Sequence, residues 1–158
     1  GLGVACHGIS KALSGKVNLT VVIPRADPAF IVDNVDLIGL NYSKAEELLQ
    51  GKSLLDFQHF LDLQYVESNI LPYQQVKQDY VLNNVSKEFR YLDDLNFFRH
   101  EDIYGGDVLA KVMKFTNVAV SLALTKAFDI VYAHDWMTFL AGIQLKQETG
   151  KPLVLHVH

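Results

Sequence analysis

The chain has 158 residues, of which 49% are hydrophobic and 20% are charged, a length and composition typical of one globular domain with its own core. Its net charge of −4 argues against a general nucleic-acid binder, and none of its apolar runs approaches the roughly 18 residues of a membrane span. A single cysteine excludes an internal disulfide and is typical of a reducing compartment, so we expect a cytoplasmic protein.

The amino-terminal stretch GLGVACHGISKAL is a glycine-containing turn that leads into an amphipathic helix. Its apolar residues recur at helical spacing and predict a helix over residues 4–14, which Gly15 is suited to end. The stretch VNLTVVI at residues 17–23 is almost continuously apolar and stops at Pro24. This pattern predicts a strand that is covered on both faces, as in a parallel sheet.

The middle of the chain carries weaker signals. Residues 43–50 open with SKAE, which matches a capping box, and predict a short helix. The tract 83–100 is rich in Asn, Asp and aromatic residues and is interpreted as a surface loop. Short strands are predicted within residues 31–40, 57–66 and 78–85. Because no motif for a chemical function lies in this region, we interpret residues 41–100 as an elaboration within the domain.

The last third of the chain alternates clearly between helices and strands. Asp107 is a good N-cap for a long helix with one apolar stripe over residues 108–127. The elements predicted after it are a strand at 129–133, a turn at 134–136, a helix at 137–148 and a strand at 153–158. This order requires parallel strands and a right-handed crossover. The predicted fold class is therefore α/β, with a Rossmann-like open, mostly parallel sheet and helices on both faces.

Open parallel sheets bind ligands beyond the carboxyl ends of their strands, and this rule selects three places that should share one rim. The first is the turn that contains Gly1 and Gly3, where free backbone N–H groups and the positive end of the first helix can receive an anion. A tight β–α turn that simply needs small residues is the alternative. The turn is neither a Walker-type loop nor a complete G-x-G-x-x-G motif, because Cys6 takes the position of the last glycine.

The second and third places are the HDW turn and the final strand. Asp135 either caps the following helix or accepts hydrogen bonds from ligand hydroxyls, and Trp136 either belongs to the core or walls a sugar site. His156 and His158 share one face of the last strand, and His158 is predicted to donate a hydrogen bond at the rim. Together with His134 they resemble a set of three imidazoles, but no Cys or Glu pattern completes it, so no metal is expected.

Three stretches resemble the N-terminal domain of GT-B glycosyltransferases, and most closely the glycogen/starch synthase and sucrose-synthase-like retaining families. They are GLGVACHGISKAL followed by VNLTVVIP, YGGDVL through FDIVYAHDWMTF, and GKPLVLHVH. The matches cover residues 1–24 and 103–158 in the order of those families, whose first motif is usually KVGGLG. Val4 stands where glycogen and starch synthases typically carry Asp, which favours the broader family.

The resemblance implies a role for each of these residues. Gly1 and Gly3 would contact the diphosphate of a nucleotide-sugar donor such as ADP-glucose or UDP-glucose. Asp135 would lie in the sugar cleft, and His158 would hydrogen-bond the donor sugar near the reacting centre. Further candidates for the cleft are His134, Trp136 and His156. Such enzymes retain the anomeric configuration and use neither a metal nor a cofactor.

The resemblance also implies missing parts, since the strand before the glycine turn and the C-terminal domain are not in the sequence. We therefore interpret residues 1–158 as a partial N-terminal domain of a hexosyltransferase of carbohydrate biosynthesis. We expect this part to be inactive alone. In the complete enzyme it would close with the C-terminal domain around a donor and a saccharide acceptor. Two other classes stay open. A dinucleotide-binding domain of an oxidoreductase would use Asp27 to hold a ribose, and a non-catalytic module would only bind sugars.

Overall fold

The computed structural model describes residues 2–27, 29, 32–49, 90–100 and 108–157. The strands predicted at 57–66 and 78–85 and the N-cap predicted at Asp107 lie outside these residues. The elements in chain order are α1 (Leu2–Leu13), β1 (Leu19–Ile23), β2 (Val35–Gly39), α2 (Ser43–Leu49), α3 (Arg90–His100), α4 (Val108–Ala123), β3 (Val131–His134), α5 (Trp136–Thr149) and β4 (Leu153–His156).

The described strands pair in parallel, which confirms the α/β class. β1 pairs with β2 from Leu19 opposite Val35, and β3 pairs with β4 in a register that sets Val131 opposite Leu153 and His134 opposite His156. Within the described ranges these are two separate two-stranded sheets, smaller than the single open sheet predicted from sequence. The strands are only four or five residues long, and helix packing rather than strand pairing joins the two sheets.

Helix α4 forms the centre of the core. It packs against α5, α3 and α2, and its buried residues are Val112, Phe115, Thr116, Val118, Ala119, Val120 and Leu122. The predicted position of this helix is confirmed, although it ends at residue 123 rather than 127. The chain leaves the helix in a tight turn, because the Thr125 hydroxyl donates to the Leu122 carbonyl at 2.7 Å and the Lys126 amide donates to the Ala123 carbonyl at 3.0 Å.

The surface loop predicted over residues 83–100 is wrong for its described part, because residues 90–100 form helix α3. Asn and Asp lower intrinsic helix propensity, but tertiary burial outweighs it here. Leu95 is 0% exposed and Phe98 is 1% exposed, three residues apart on one helix face. The Arg25 guanidinium donates to the Phe98 carbonyl at 3.0 and 3.2 Å, so the end of α3 is also held to the segment after β1.

Helix α5 lies directly on β3 and β4. At Gly142 a Cβ atom would come within 2.8 Å of Leu153 Cδ1 and 3.0 Å of the Ala133 Cβ, so only glycine allows this close approach. The helix ends at Gly150, which adopts a left-handed conformation with φ of 68° and donates its N–H to the Lys146 carbonyl at 2.9 Å. The helix predicted at 137–148 is confirmed, and it extends by one residue at each end.

One carboxylate links the two sheets. Asp36 on β2 pairs with Lys44 on α2 and, at 2.8 Å, with Lys126 in the turn before β3. Hydrogen bonds from Lys126 and Lys44 hold the pKa of Asp36 below its ordinary value. None of the helices in the described residues is long and apolar enough to cross a membrane.

Candidate functional site

The HDW turn holds Asp135 in a strained backbone conformation. Its φ of 61° and ψ of 164° lie in a region that glycine occupies almost exclusively. The turn is fixed from both sides, because the Asp135 N–H donates to the His156 carbonyl at 2.8 Å and its carbonyl accepts from the Thr138 N–H at 3.0 Å. The Thr138 hydroxyl donates to the His134 carbonyl at 2.7 Å. These hydrogen bonds together hold the turn in its strained conformation. Strained backbone of this kind is typical of functional positions.

The carboxylate of Asp135 does not cap helix α5. Asp135 occupies the N-cap position, but its side chain makes no capping hydrogen bond there. The helix-capping alternative considered for this residue is therefore wrong. The carboxylate is therefore not used to satisfy the amides of the helix.

The charge of Asp135 also affects a residue of helix α1. Burial raises the pKa of the Cys6 thiol, and the negative charge of Asp135 raises that pKa further. The HDW turn thus acts electrostatically on helix α1.

The glycine turn itself is only partly described. Gly1 lies outside the described residues, and Gly3 is exposed within the first turn of α1 rather than in the turn before it. The helix therefore begins two residues earlier than the predicted start at residue 4. The amide of Gly3 still belongs to the first four N–H groups of the helix, which have no partner within it.

The carboxyl ends of β3 and β4 carry a cluster of three rings: Tyr132, His134 and His156. The ring centroids of His134 and His156 are 5.4 Å apart, and that of Tyr132 lies 4.5 Å from His134. The Tyr132 hydroxyl lies 2.7 Å from His156 Nδ1. We call these residues the ring cluster. Sequence reasoning missed Tyr132, although the alternation Tyr-x-His on a predicted strand already puts it on the face of His134.

Two other predicted residues have different outcomes. Trp136, at the start of α5, is 48% exposed, so its assignment to the core is wrong and its ring remains available at the rim. His158 lies outside the described residues, and the role predicted for it stays a prediction. Among the described residues no group of three or more His, Cys, Asp and Glu side chains could hold a metal, and the three-imidazole arrangement would need His158.

The described cavity lies elsewhere. It has a volume of about 460 Å³ and is lined by residues that precede β3 and β4, among them Phe128 and Lys151. It is therefore at the amino ends of the strands, opposite the HDW turn and the ring cluster. The chemistry-bearing side chains lie instead at the carboxyl ends, as the rule for parallel sheets predicts.

Two parallel strand pairs, one of them joined through helix α5, and polar side chains at the strand ends are typical of a Rossmann-like α/β domain. The sequence profile of the starch synthase catalytic domain matches residues 1–158. The chain belongs to this family and is a glycogen/starch synthase-like glycosyltransferase domain. No curated protein and no solved structure matches the chain significantly. The family match favours the transferase over the oxidoreductase and the non-catalytic sugar-binding module.

Proposed function

We propose that the chain is the N-terminal part of a retaining glucosyltransferase. The enzyme moves glucose from a nucleoside diphosphate donor, such as ADP-glucose or UDP-glucose, to a saccharide acceptor. The observation that carries this proposal is the grouping of Asp135, His134 and His156 at the carboxyl ends of β3 and β4, in a chain that matches the starch synthase catalytic domain. It places a carboxylate and two imidazoles, which are suited to sugar hydroxyls, where open parallel sheets bind ligands.

The diphosphate is assigned to the start of α1. The N–H groups of Gly1 and Gly3 and the positive end of the helix dipole would stabilise the negative charge that develops on the leaving group. Glycine lets the phosphates approach the backbone closely, because no Cβ intervenes. Like charges repel, so we expect the phosphates to stay at the helix end while Asp135 accepts hydrogen bonds from sugar hydroxyls.

The sugar is assigned to the carboxyl ends of β3 and β4. Asp135 and His158 are proposed to contact the transferred glucose near the reacting centre. The imidazoles of His134 and His156 and the exposed face of Trp136 complete this side of the cleft. A partly polar wall of this kind orients a sugar through its hydroxyls and its apolar ring face.

A C-terminal domain is proposed to close over the donor. Closure would expel water that would otherwise hydrolyse the activated sugar. We propose that the donor and the acceptor are the only small molecules the reaction needs, without a metal or a cofactor. The single cysteine is in keeping with a cytoplasmic enzyme.

The test is transfer of labelled glucose from ADP-glucose and UDP-glucose to a maltooligosaccharide by the full-length enzyme. Asp135→Asn and His158→Ala should each lower kcat about 100-fold or more, because they remove contacts that strengthen in the transition state. Circular dichroism should show that both variants keep the fold. Asp129→Asn is the matched control, since Asp129 is exposed and lies just before β3, away from the rim.

Two results would contradict the proposal. Activity of His158→Ala close to that of the wild type would remove His158 from the site, and similar activity of Asp135→Asn would do the same for Asp135. Binding of NAD more tightly than of either nucleotide sugar, measured by calorimetric titration, would restore the oxidoreductase alternative.

A further inference from the structure

The ring cluster has a geometry that the proposed contacts with substrate do not explain. Tyr132 is 43% exposed, so packing of the core is not the main use of its ring. Its hydroxyl nevertheless lies 2.7 Å from His156 Nδ1, and its ring packs on His134 with an interplanar angle of 56°. One side chain thus contacts both imidazoles at the carboxyl ends of β3 and β4.

We infer that Tyr132 is a positioning residue that fixes the tautomer of His156 and the ring orientation of His134 for glucosyl transfer. This inference rests on the proposed function, because it assumes that these imidazoles face the sugar. Nothing in the resemblance or the family match assigns a role to this tyrosine.

The parallel register supplies the arrangement. Tyr132 and His134 are two residues apart on β3 and so share one face, and His156 on β4 is the direct partner of His134. The centroids of Tyr132 and His156 are 5.8 Å apart with their planes at 87°, which directs the phenol oxygen to the edge of the imidazole. The three rings therefore restrain one another across the two strands.

The hydrogen bond selects one form of His156. A phenol hydroxyl is a stronger hydrogen-bond donor than acceptor, because its oxygen lone pair is delocalised into the ring, so we infer that in the neutral pair the Tyr132 hydroxyl donates and Nδ1 accepts. The ring proton of the neutral imidazole then resides on Nε2, the nitrogen farther from the backbone. An Nε2–H group is a donor for a sugar hydroxyl, whereas an unprotonated Nε2 would be an acceptor.

The spectroscopic test uses ¹⁵N-labelled chain and the long-range proton–nitrogen couplings of the imidazoles above pH 8. In the wild type, His156 should show the pattern of the Nε2–H form. In Tyr132→Phe a population of the Nδ1–H form should appear, so that the shifts of its two ring nitrogens move towards each other. Tyr42→Phe is the control, because Tyr42 lies in the turn between β2 and α2, beside the other sheet.

The spectroscopic result tests whether Tyr132 fixes the tautomer of His156, and it requires no measurement of enzyme activity. An Nδ1–H pattern for His156 in the wild type, or an unchanged pattern in Tyr132→Phe, would overturn it. The tautomer of His156 in the wild type can be read from the wild-type spectrum alone, even if the variant folds poorly.

The kinetic test uses the full-length enzyme with the nucleotide-sugar donor. Tyr132→Phe should lower kcat about threefold to tenfold, the value of one hydrogen bond, with the KM for the donor within about twofold of the wild type. A changed tautomer with an unchanged kcat would overturn the positioning role. Failure of the proposed function is distinguishable from this, because it would appear as a wild type that transfers no glucose from either donor.

Discussion

At the scale of single residues, Asp135 shows how the fold imposes a conformation that its residue type disfavours. The hydrogen bonds of its backbone to His156 and Thr138 hold it at a positive φ. A residue kept in such a region costs about 1–3 kcal/mol of stability. An aspartate at a position whose conformation favours glycine points to a use for the carboxylate.

We predict that Asp135→Gly is more stable than Asp135→Ala by about 1–2 kcal/mol in urea unfolding. Both variants lose the carboxylate, but only glycine adopts this backbone conformation without strain, and the gain exceeds its entropy cost of about 0.5–1 kcal/mol. At Asp129, which has no positive φ, the order of the two substitutions should be reversed. An alanine variant at position 135 that equals the glycine variant would show that the turn is not strained.

The second prediction at this scale concerns the only thiol of the chain. Asp135→Asn should lower the pKa of Cys6, because removal of a nearby negative charge favours the thiolate. The pKa should remain above the ordinary thiol value, since burial is the larger cause of the shift. The pH dependence of the reaction of Cys6 with iodoacetamide measures it. If the inflection is the same in Asp135→Asn as in Asp129→Asn, the carboxylate is not beside α1.

At the scale of elements, the close packing of α5 on β3 and β4 depends on Gly142, which has no side chain. The turn before α5 contains Asp135, so the depth at which this helix sits determines where the carboxylate lies relative to the strands. Sequence patterns predicted the helix and both strands correctly. They did not reveal that Gly142 sets the distance between them.

Gly142→Ala should lower the free energy of unfolding by about 1 kcal/mol in urea titrations. Alanine gains about 1 kcal/mol in helix propensity, but overpacking typically costs 1–3 kcal/mol. The added methyl would meet Ala133 Cβ, which cannot move without the strand, at 3.0 Å. Gly8→Ala in α1 is the control, because no described atom lies within 4 Å of its added Cβ. Equal effects of the two substitutions would contradict the close approach of α5.

At the scale of the whole molecule, one core joins the two small sheets. Buried residues of β2, α2 and α3 contact those of α4 and α5 in a single cluster, and the Asp36–Lys126 ion pair adds a polar link. Although the sheets share no strand pairing within the described residues, their stability should therefore be coupled.

We predict that Phe98→Ala lowers the free energy of unfolding by about 3–5 kcal/mol, because Phe98 is 1% exposed in this core. The fluorescence of Trp136, the only tryptophan, reports on helix α5, which contributes Ala141 and Leu145 to the cluster. Its unfolding transition should shift together with that of far-UV circular dichroism. Phe97→Ala, at the neighbouring half-buried ring, should cost less. If Phe98→Ala leaves the unfolding midpoint measured by Trp136 fluorescence unchanged, the two sheets with their helices unfold separately.

Local periodicity was sufficient to predict α1, β1, α4, β3, α5 and β4, because each has a strong repeat of apolar residues or an apolar run with clear end signals. The motifs at the strand ends likewise resemble the N-terminal GT-B domain of the glycogen/starch synthase and sucrose-synthase-like families. Helix α3 could not be predicted in this way, since its own residues favour it weakly and the burial of Leu95 and Phe98 stabilises it.

The sequence by itself thus determined the α/β class, the family resemblance and the residue types at the rim. Only the tertiary structure decided the positive φ of Asp135. It also decided the strand register that sets His134 opposite His156 and brings both imidazoles into contact with Tyr132. The physical reason is that propensity and periodicity act between near neighbours in the chain, whereas these contacts depend on how separate elements pack.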